Sequence, residues 1–500
     1  MRVLSKSKIM AHRQCPRRLW LEVNRPNLCE DSADTQSRYQ IGDSVGEIAR
    51  RIYDPKGRCP LIDVASEGFE GAFARTQALL AKRRGIFEAG FNANGGLAFA
   101  DVLLPVKKGG RPMWRMVEVK SSTSVKDSQR DDVAFQSWVA KSAGLALAGV
   151  SIAYVDNTWV YPGNEDYNGL LVEKDLTREA FGRGQEVANW VEEAQTTLRK
   201  KREPSIQTGH HCTHPYACGF IDYCRSQEAQ AEFPVEWLPD VRTKALKSHI
   251  EAEGVVDLRD VPAALLNERQ QRVKDCTLSG KCYFDKAGAA KQLAVHRLPA
   301  YFLDFESVNP AVPLWKGIRP YQQIPFQFSC HRLDAKGRLT HDSFLDLTGK
   351  NPLRPFVKAL LGACGERGPI FVYNASFEKT RIHELAKRFP RDARALLALV
   401  DRVVDLLPVA RGLYYHPDQE GSWSIKAVLP TIAPDLDYSQ LVGVQDGGAA
   451  MVVYQEAIAP TTSRRRCQEI QDQLLAYCKR DTEALVRLWS FFTGKAVGAV

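Results

Sequence analysis

Two groups of acidic residues in this chain have the types and spacings that hydrolyse phosphodiesters. Asp101 ends one apolar run, and Glu118 and Lys120 stand two apart in the strand-like stretch WRMVEVKSS, so their side chains share one face. Two carboxylates from neighbouring strands can hold Mg²⁺, a cation that takes hard oxygen ligands. Such a metal polarises the phosphate and lowers the pKa of bound water, while a nearby lysine orients that water and stabilises the developing charge. The second group begins with Asp304 and Glu306, two apart in YFLDFES. Glu378 follows on a helix after the strand PIFVYN, and Tyr477 and Asp481 lie four apart on one helix face. Acids from a strand and two helices can hold two Mg²⁺ or Mn²⁺ ions roughly 4 Å apart, a clamp for in-line displacement at phosphorus. Tyr477 is then placed to position the attacking water. Taken singly, E-x-K, D-x-E and Y-x-x-x-D are most often surface charge; their order and spacing give them weight.

Twelve cysteines in 500 residues are too sparse for a disulfide scaffold. Cys59, Cys330 and Cys364 read as small core hydrophobes. The clustering is informative. Cys212, Cys218 and Cys224 are spaced six apart in HHCTHPYACGFIDYC, and Cys15 lies near the start in CPRRLWL. Four thiolates split in this way suit a tetrahedral zinc or an iron–sulfur cluster. One such centre ties the N-terminus to the end of its domain. His210, His211 and His214 lie among the cysteines and read as decoration of that loop.

The elements that must position these groups can be traced in outline. GIFEAGFNANGGLAFADVLLPV predicts two strands joined at Asn94-Gly95-Gly96, and the basic turn KKGGRP leads into a third. LKSHIEAEGVVDLRDVPAALLNERQQRV predicts a helix, a turn at Gly254, a short helix and another helix. Two readings fit this segment: a helix–hairpin–helix that grips a DNA backbone, or an amphipathic helical linker. The apolar run LPAYFLDFES then opens a new α/β region. The fold class is mixed α/β. Three parts are expected: 1–225, a helical linker over 226–297, and 298–500.

Composition is ordinary for globular domains: 44% hydrophobic, 25% charged, and a formal net charge of +9 from 68 Lys+Arg against 59 Asp+Glu. This excludes a disordered or fibrous chain and permits nucleic-acid binding. LRKKRE at 198–203 and SRRRC at 463–467 could contact phosphates, though each alone reads as a solvated face. No apolar run approaches the roughly 18 residues of a membrane span, and the start has no apolar signal region. A soluble, cytoplasmic protein with no membrane partner is expected.

The stretch FEAGF…FADVLL…WRMVEVKSS…DDVAFQSWVAKSAG resembles the RecB-family nucleases of the PD-(D/E)xK superfamily. The resemblance implies a restriction-endonuclease-like core with Asp101, Glu118 and Lys120 as its catalytic trio. It makes Gln136 the glutamine beside that site and Glu88 an added carboxylate. It departs where the family carries a histidine on the N-terminal helix: Gly42 and Gly46 stand there, with Glu47 the neighbouring candidate ligand. CPRRLWL with the late cysteine triad resembles the iron–sulfur RecB-like nucleases, including the CRISPR adaptation exonucleases and the AddB-type repair nucleases. That implies a structural [4Fe–4S] cluster on Cys15, Cys212, Cys218 and Cys224, with zinc as the alternative.

Residues 298–495 resemble the Tyr-containing DEDD exonucleases of the RNase H-like superfamily. The motifs are Asp304-Phe305-Glu306, Asn374-Ala375-Ser376-Phe377-Glu378 and Tyr477…Asp481. VVDLLPVARGLYYHP and GSWSIKAVLPTIAP match the linking segments, with Asp405 and Lys426 in place. Glu378 departs from the family's usual aspartate. The resemblances imply a metal-dependent DNA nuclease, most simply an exonuclease, with two active sites and a role in DNA repair or defence. Its substrate would be single-stranded DNA or DNA with a free end. Two rival expectations are a nucleic-acid-binding protein whose C-terminal site has degenerated, and an RNA-processing exonuclease.

Overall fold

A computed structural model describes residues 2–30 and 33–497. The fold is mixed α/β, and among the described residues no helix is long and apolar enough to cross a membrane. The chain divides into two compact units: residues 1–229 with 309–322, and residues 230–308 with 323–500.

The first unit opens with β1 (Leu4–Ser5), α1 (Lys6–Gln14), α2 (Pro16–Asn24), α3 (Ala33–Tyr53) and α4 (Val64–Leu80). A mixed sheet follows: β2 (Ile86–Ala93), β3 (Gly96–Lys108), β4 (Arg111–Lys120), α5 (Asp127–Ser142), β5 (Leu147–Val155) and β6 (Leu171–Asp175). It closes with α6 (Thr177–Gly182), α7 (Gly184–Arg199) and α8 (Ile221–Ser226). The strands run in the order β1-β3-β4-β5-β6, with β2 also paired to β3. Two tight turns make the first hairpins. Asn94 and Gly95 have φ of +51° and +79°, and Gly109 and Gly110 have +57° and +75°, the left-handed pairs that a two-residue hairpin turn requires. β4 and β5 are parallel, so the chain must cross over between them, and α5 makes that crossover. Phe135 and Val139 of α5 pack into the same core as Phe91, Ala98, Met116 and Ile152 of the sheet.

The second unit contains α9 (Lys244–Glu253), α10 (Glu268–Ser279), β7 (Tyr283–Phe284) and α11 (Lys286–Leu293). Then come β8 (Ala300–Val308), β9 (Ile324–Leu333), β10 (Leu339–Leu345), α12 (Leu353–Cys364), β11 (Ile370–Val372), α13 (Ser376–Arg388) and α14 (Ala393–Arg402). β12 (Val403–Asp405), α15 (Leu407–Leu413), β13 (Tyr414–Tyr415), α16 (Ile425–Ile432), α17 (Gly447–Ala457) and α18 (Arg464–Thr493) complete it. Its sheet has the order β10-β9-β8-β11-β12. β8, β9 and β10 are antiparallel neighbours, while β11 runs parallel to both β8 and β12. β8 is buried on nearly every residue because α18 covers it, which explains why YFLDFES reads as an apolar run rather than an alternating one.

The structure redraws two expected boundaries. Residues 230–297 are not a separate linker. Val273, Cys276, Ala289 and Leu293 share one core with Phe302, Phe371 and Trp489. At Gly421, with φ +76°, a Cβ would sit 1.7 Å from Trp237 O, so only glycine lets this segment lie so close. Residues 309–322 return to the first unit. Tyr161 and Ile318 are joined there by a backbone hydrogen bond of 3.0 Å, and Ala311 packs with Val45, Val155 and Leu170. Around Gly254, α9 ends in a left-handed cap at φ +60°, and two 3₁₀ turns, Leu258–Asp260 and Ala263–Leu265, follow before α10. The hairpin therefore joins an α-helix to a 3₁₀ turn, and its apolar side chains, Leu246, Val255, Leu258 and Val261 among them, form a small core of their own.

Candidate active sites and cysteine centre

In the first unit, β4 turns Glu118 and Lys120 to the same face, as their spacing demands. Three donors converge on Glu118. Lys6 Nζ and Lys120 Nζ donate to its Oε1 at 2.7 and 2.8 Å, and Gln136 Nε2, from α5, donates to its Oε2 at 2.7 Å. Lys120 also donates to Asp132 at 2.6 Å. Burial alone would raise the Glu118 carboxyl, but the Lys120 and Lys6 ammonium groups outweigh it and hold it at about 2. Asp101, on β3, accepts from the Val119 N–H at 2.6 Å through Oδ2. Burial first, and the Glu118 charge second, push Asp101 well above the usual carboxylate range. Glu88 lies across the β2–β3 ladder from Asp101 and holds φ at +56°, a costly value for glutamate. Its carboxyl is also raised, by burial and then by Glu118.

The structure thus brings together Asp101, Glu118, Lys120 and Gln136, with Glu88 beside them. It does not bring Glu47 there. Glu47 is exposed and pairs with Arg51 at 2.7 Å, one helical turn away. The α3 residues whose charge reaches Glu88 are Arg50 and Asp43. Sequence reasoning missed Lys6 and Asp132, since neither lies in a spacing pattern that leads to Glu118.

Cys15, Cys212, Cys218 and Cys224 are all free and buried, and they line one cavity. Burial raises the Cys15, Cys218 and Cys224 thiols, Cys224 to about 11, and the neighbouring sulfurs add to each shift. Opposing this, the backbone N–H groups of Arg18 and Arg17 point at the Cys15 sulfur and that of Phe220 at Cys218, with the Arg17 guanidinium nearby. His211 lies 3.6 Å from the Cys212 sulfur, whereas His210 and His214 stack on each other.

In the second unit, β8 turns Asp304 and Glu306 to one face, and α18 brings Tyr477 and Asp481 over them. Asp304, Glu306 and Asp481 each offer a carboxylate oxygen within 4.8 Å of the others; among the described residues they are the one such set of three or more metal-ligating groups. The thiols form no such set. Tyr438 donates to Asp481 Oδ1 at 2.6 Å, and Tyr477 also hydrogen-bonds Asp481. Burial raises Asp304 and Glu306 well above the carboxylate range, with Asp481 the next contributor to each, and raises Asp481 itself to about 6. Lys426 Nζ lies between the Tyr438 and Tyr477 rings, 5.5 and 5.8 Å from their centres, and its charge lowers Glu306 and Asp481.

Glu378 is buried in the first turn of α13 and lies outside the set of three. Its charge nonetheless bears on Asp304 and Glu306. Burial lifts it to about 8, and its Oε2 has no hydrogen-bond partner. Asp405, at the end of β12, shapes the turn before α13. It accepts the N–H groups of Asn374 and Ala375 at 2.9 and 3.0 Å, which holds Asn374 at φ +68°. Sequence reasoning missed Tyr438, and Asp446, whose charge raises Glu306.

Of the basic stretches, Arg465 pairs with Glu469 and Arg466 with Glu456, while Lys200, Lys201 and Arg202 are exposed.

A family model described as a domain of unknown function (DUF2779) matches residues 301–424. That span holds Asp304, Glu306, Glu378 and Asp405 and stops before Tyr477 and Asp481. No curated protein matches the chain.

Proposed function

We propose that this chain is a metal-dependent nuclease with two active sites, one in each unit. The observation that carries the reading is the convergence of Asp304, Glu306 and Asp481, drawn from β8 and α18, within 4.8 Å of one another. Three buried carboxylates and the half-buried Asp304, all with raised pKa values, make a strong attraction for divalent cations, and the unpartnered Glu378 Oε2 adds a free oxygen. The strand order of the second unit, with three antiparallel strands beside two parallel ones, supports an RNase H-like exonuclease fold. In the first unit, the E-x-K strand beside Asp101 and the α5 glutamine supports a PD-(D/E)xK nuclease core.

Asp304, Glu306, Asp481 and Glu378 would hold Mg²⁺ or Mn²⁺ in one unit, and Asp101 and Glu118 would hold it in the other, supplying phosphate polarisation and an acidified water. Tyr477 and Tyr438 fix Asp481 through their hydroxyls, and Tyr477 stands where it can orient the attacking water. Lys120 is held by Glu118 and Asp132, so its ammonium is ordered before substrate arrives and can meet the charge developing on phosphorus. Gln136 keeps Glu118 from rotating.

The cysteine centre would hold a structural [4Fe–4S] cluster. N–H groups aimed at sulfur, and Arg17 close by, suit the negative charge of a thiolate-ligated cluster. Zinc on the same four thiolates is the alternative. The substrate is DNA, single-stranded or with a free end, in repair or defence.

A specific observation favours one alternative. Glu378 stands apart from the other three acids, as a degenerate site would allow. End-labelled single-stranded DNA, duplex DNA and RNA, incubated with Mg²⁺ or Mn²⁺ and with EDTA, separate the readings. Metal-dependent cleavage of DNA is expected. Preference for RNA would move the protein to RNA processing, and binding without any cleavage would make it a binding protein.

A further inference from the structure

We propose that Lys6 is a positioning residue of the Glu118 site, delivered by a helix whose far end is pinned at the cysteine centre. The inference rests on the nuclease reading of that site. Lys6 opens α1 and Cys15 caps it, so the two stand at opposite ends of a nine-residue helix about 13 Å long.

Each end is fixed by a different part of the unit. At the first, Leu4 donates its N–H to Gly95 O at 2.9 Å, and β1 pairs in parallel with the start of β3. Lys6 then reaches Glu118 Oε1 at 2.7 Å, the same oxygen that Lys120 meets at 2.8 Å. At the other end, Gln14 Nε2 donates to the carbonyls of His211 and Tyr216 at 2.7 Å each, in the loop that carries Cys212 and Cys218. Between them, Ile9 is fully buried in the sheet core and Arg13 pairs with Asp131 at 2.9 Å.

A helix transmits a displacement of one end to the other, because its backbone hydrogen bonds resist bending. Loss of the Cys15 anchor leaves α1 held by β1, Ile9 and Arg13 alone, and on this inference it loosens the Lys6 contact with Glu118. The carboxylate is then held by two donors rather than three and loses its fixed aim, and productive phosphate alignment requires that aim. The placement of Cys15 far from the other three cysteines in sequence has a purpose on this account: it ties the helix that carries Lys6 to the end of the unit.

The test uses the full chain in an Asp304→Asn background, so that only this site cuts. Lys6→Met should lower kcat about 10- to 100-fold, the worth of a hydrogen bond to a charged group, with KM for a single-stranded oligonucleotide nearly unchanged. Lys6→Arg should restore most of the loss. Cys15→Ser should also lower kcat, and adding Lys6→Met to it should cost less than about twofold more, because both act through one contact. A readout independent of cleavage is acylation of lysine amines followed by mass spectrometry. Lys6 should be protected in the native chain and labelled in Cys15→Ser that keeps its circular dichroism, or, should that variant unfold, in wild type stripped of its centre by a chelator.

Wild-type kcat in Lys6→Met, additive losses, or equal Lys6 labelling with and without the centre would each overturn the inference. If no variant or wild-type protein cleaves any strand, the nuclease reading falls, while the labelling contrast still decides whether α1 links the two places.

Discussion

Around Glu118, three side-chain donors converge on one carboxylate, two of them ammonium groups. Around Asp304, the Glu306 and Asp481 carboxylates gather, with Glu378 set apart, and the Lys426 ammonium reaches Glu306 and Asp481 with its charge. In the first site the chain's own lysines neutralise Glu118 and hold it at about 2, while Asp101 and Glu88 beside it stay raised. The second carries an excess of negative charge that burial turns into raised pKa values. The two acidic clusters thus differ in what completes them. The first is largely assembled by the fold, whereas the second is completed by whatever cation or proton it can recruit.

The largest expected effect follows from that deficit. Asp304→Asn removes a carboxylate shared by the whole set. It should lower cleavage by the second unit by about 10³-fold or more in single-turnover assays, as loss of electrostatic stabilisation at a reacting centre does. The matching change in the first unit, Lys120→Ala, should lower that unit's cleavage similarly while leaving DNA affinity nearly unchanged, because Lys120 acts on developing charge. If Lys120→Ala cuts normally in an Asp304→Asn background, the contrast between the sites has no catalytic meaning.

The next effect is on stability, through the cysteine centre. Anaerobically purified protein should contain about four iron and four sulfide per chain, and Cys218→Ser should lose them. That variant should destabilise the first unit by several kcal/mol, seen as an earlier first melting transition. One zinc per chain and no iron would replace the cluster with zinc.

The sites should also differ in how pH acts on the metal-free protein. Glu378 has a folded pKa of about 8 and Asp481 of about 6, each above its unfolded value, so the folded chain retains protons that the unfolded chain releases. Stability is then greatest below the unfolded values near 4 and is lost as pH rises through about 6 and 8. Glu378→Gln should relieve part of this, on the order of 2 kcal/mol at pH 8.5 and close to nothing at pH 4. Mn²⁺ should oppose the loss and stabilise more strongly as pH rises, because binding displaces those protons. Glu118 has the reverse sign: its depressed pKa contributes stability above about 4.5 that is lost as pH falls towards 2. Melting in EDTA and in Mn²⁺ from pH 4 to 9 checks both signs.

A smaller effect is expected at Tyr438. Tyr438→Phe removes the 2.6 Å bond to Asp481 but leaves Tyr477, so cleavage by the second unit should fall about tenfold, the worth of a hydrogen bond to a charged group. An unchanged rate would assign Tyr438 to packing alone.

Much of each site was legible in the sequence where spacing encodes geometry. Glu118 and Lys120 are two apart on a strand, as are Asp304 and Glu306, and Tyr477 and Asp481 are four apart on a helix; each pair shares a face because the backbone period demands it. The hairpin at Asn94-Gly95 was legible for the same reason. Contacts set by tertiary closure were not. Lys6 reaches Glu118 across 112 positions, and Tyr438 reaches Asp481 across 43, with no local pattern to announce either. The helical segment after residue 230 looked like a linker because its own pattern is amphipathic. Its partner, the core that holds Val273 and Leu293, lies in strands and helices later in the chain. Glu47 failed as a ligand because its angle on α3 directs it to solvent, and a spacing argument about glycines did not fix that angle.

The most direct test of two metal-dependent sites is cleavage of end-labelled single-stranded DNA by four full-length proteins with Mn²⁺: wild type, Lys120→Ala, Asp304→Asn and the double variant. Each single variant should lose one part of the wild-type product pattern and keep the other. The double variant should be inert, and EDTA should silence all four. Cleavage by the double variant at the wild-type rate, or persistence of cleavage in EDTA, would contradict the assignment of both sites.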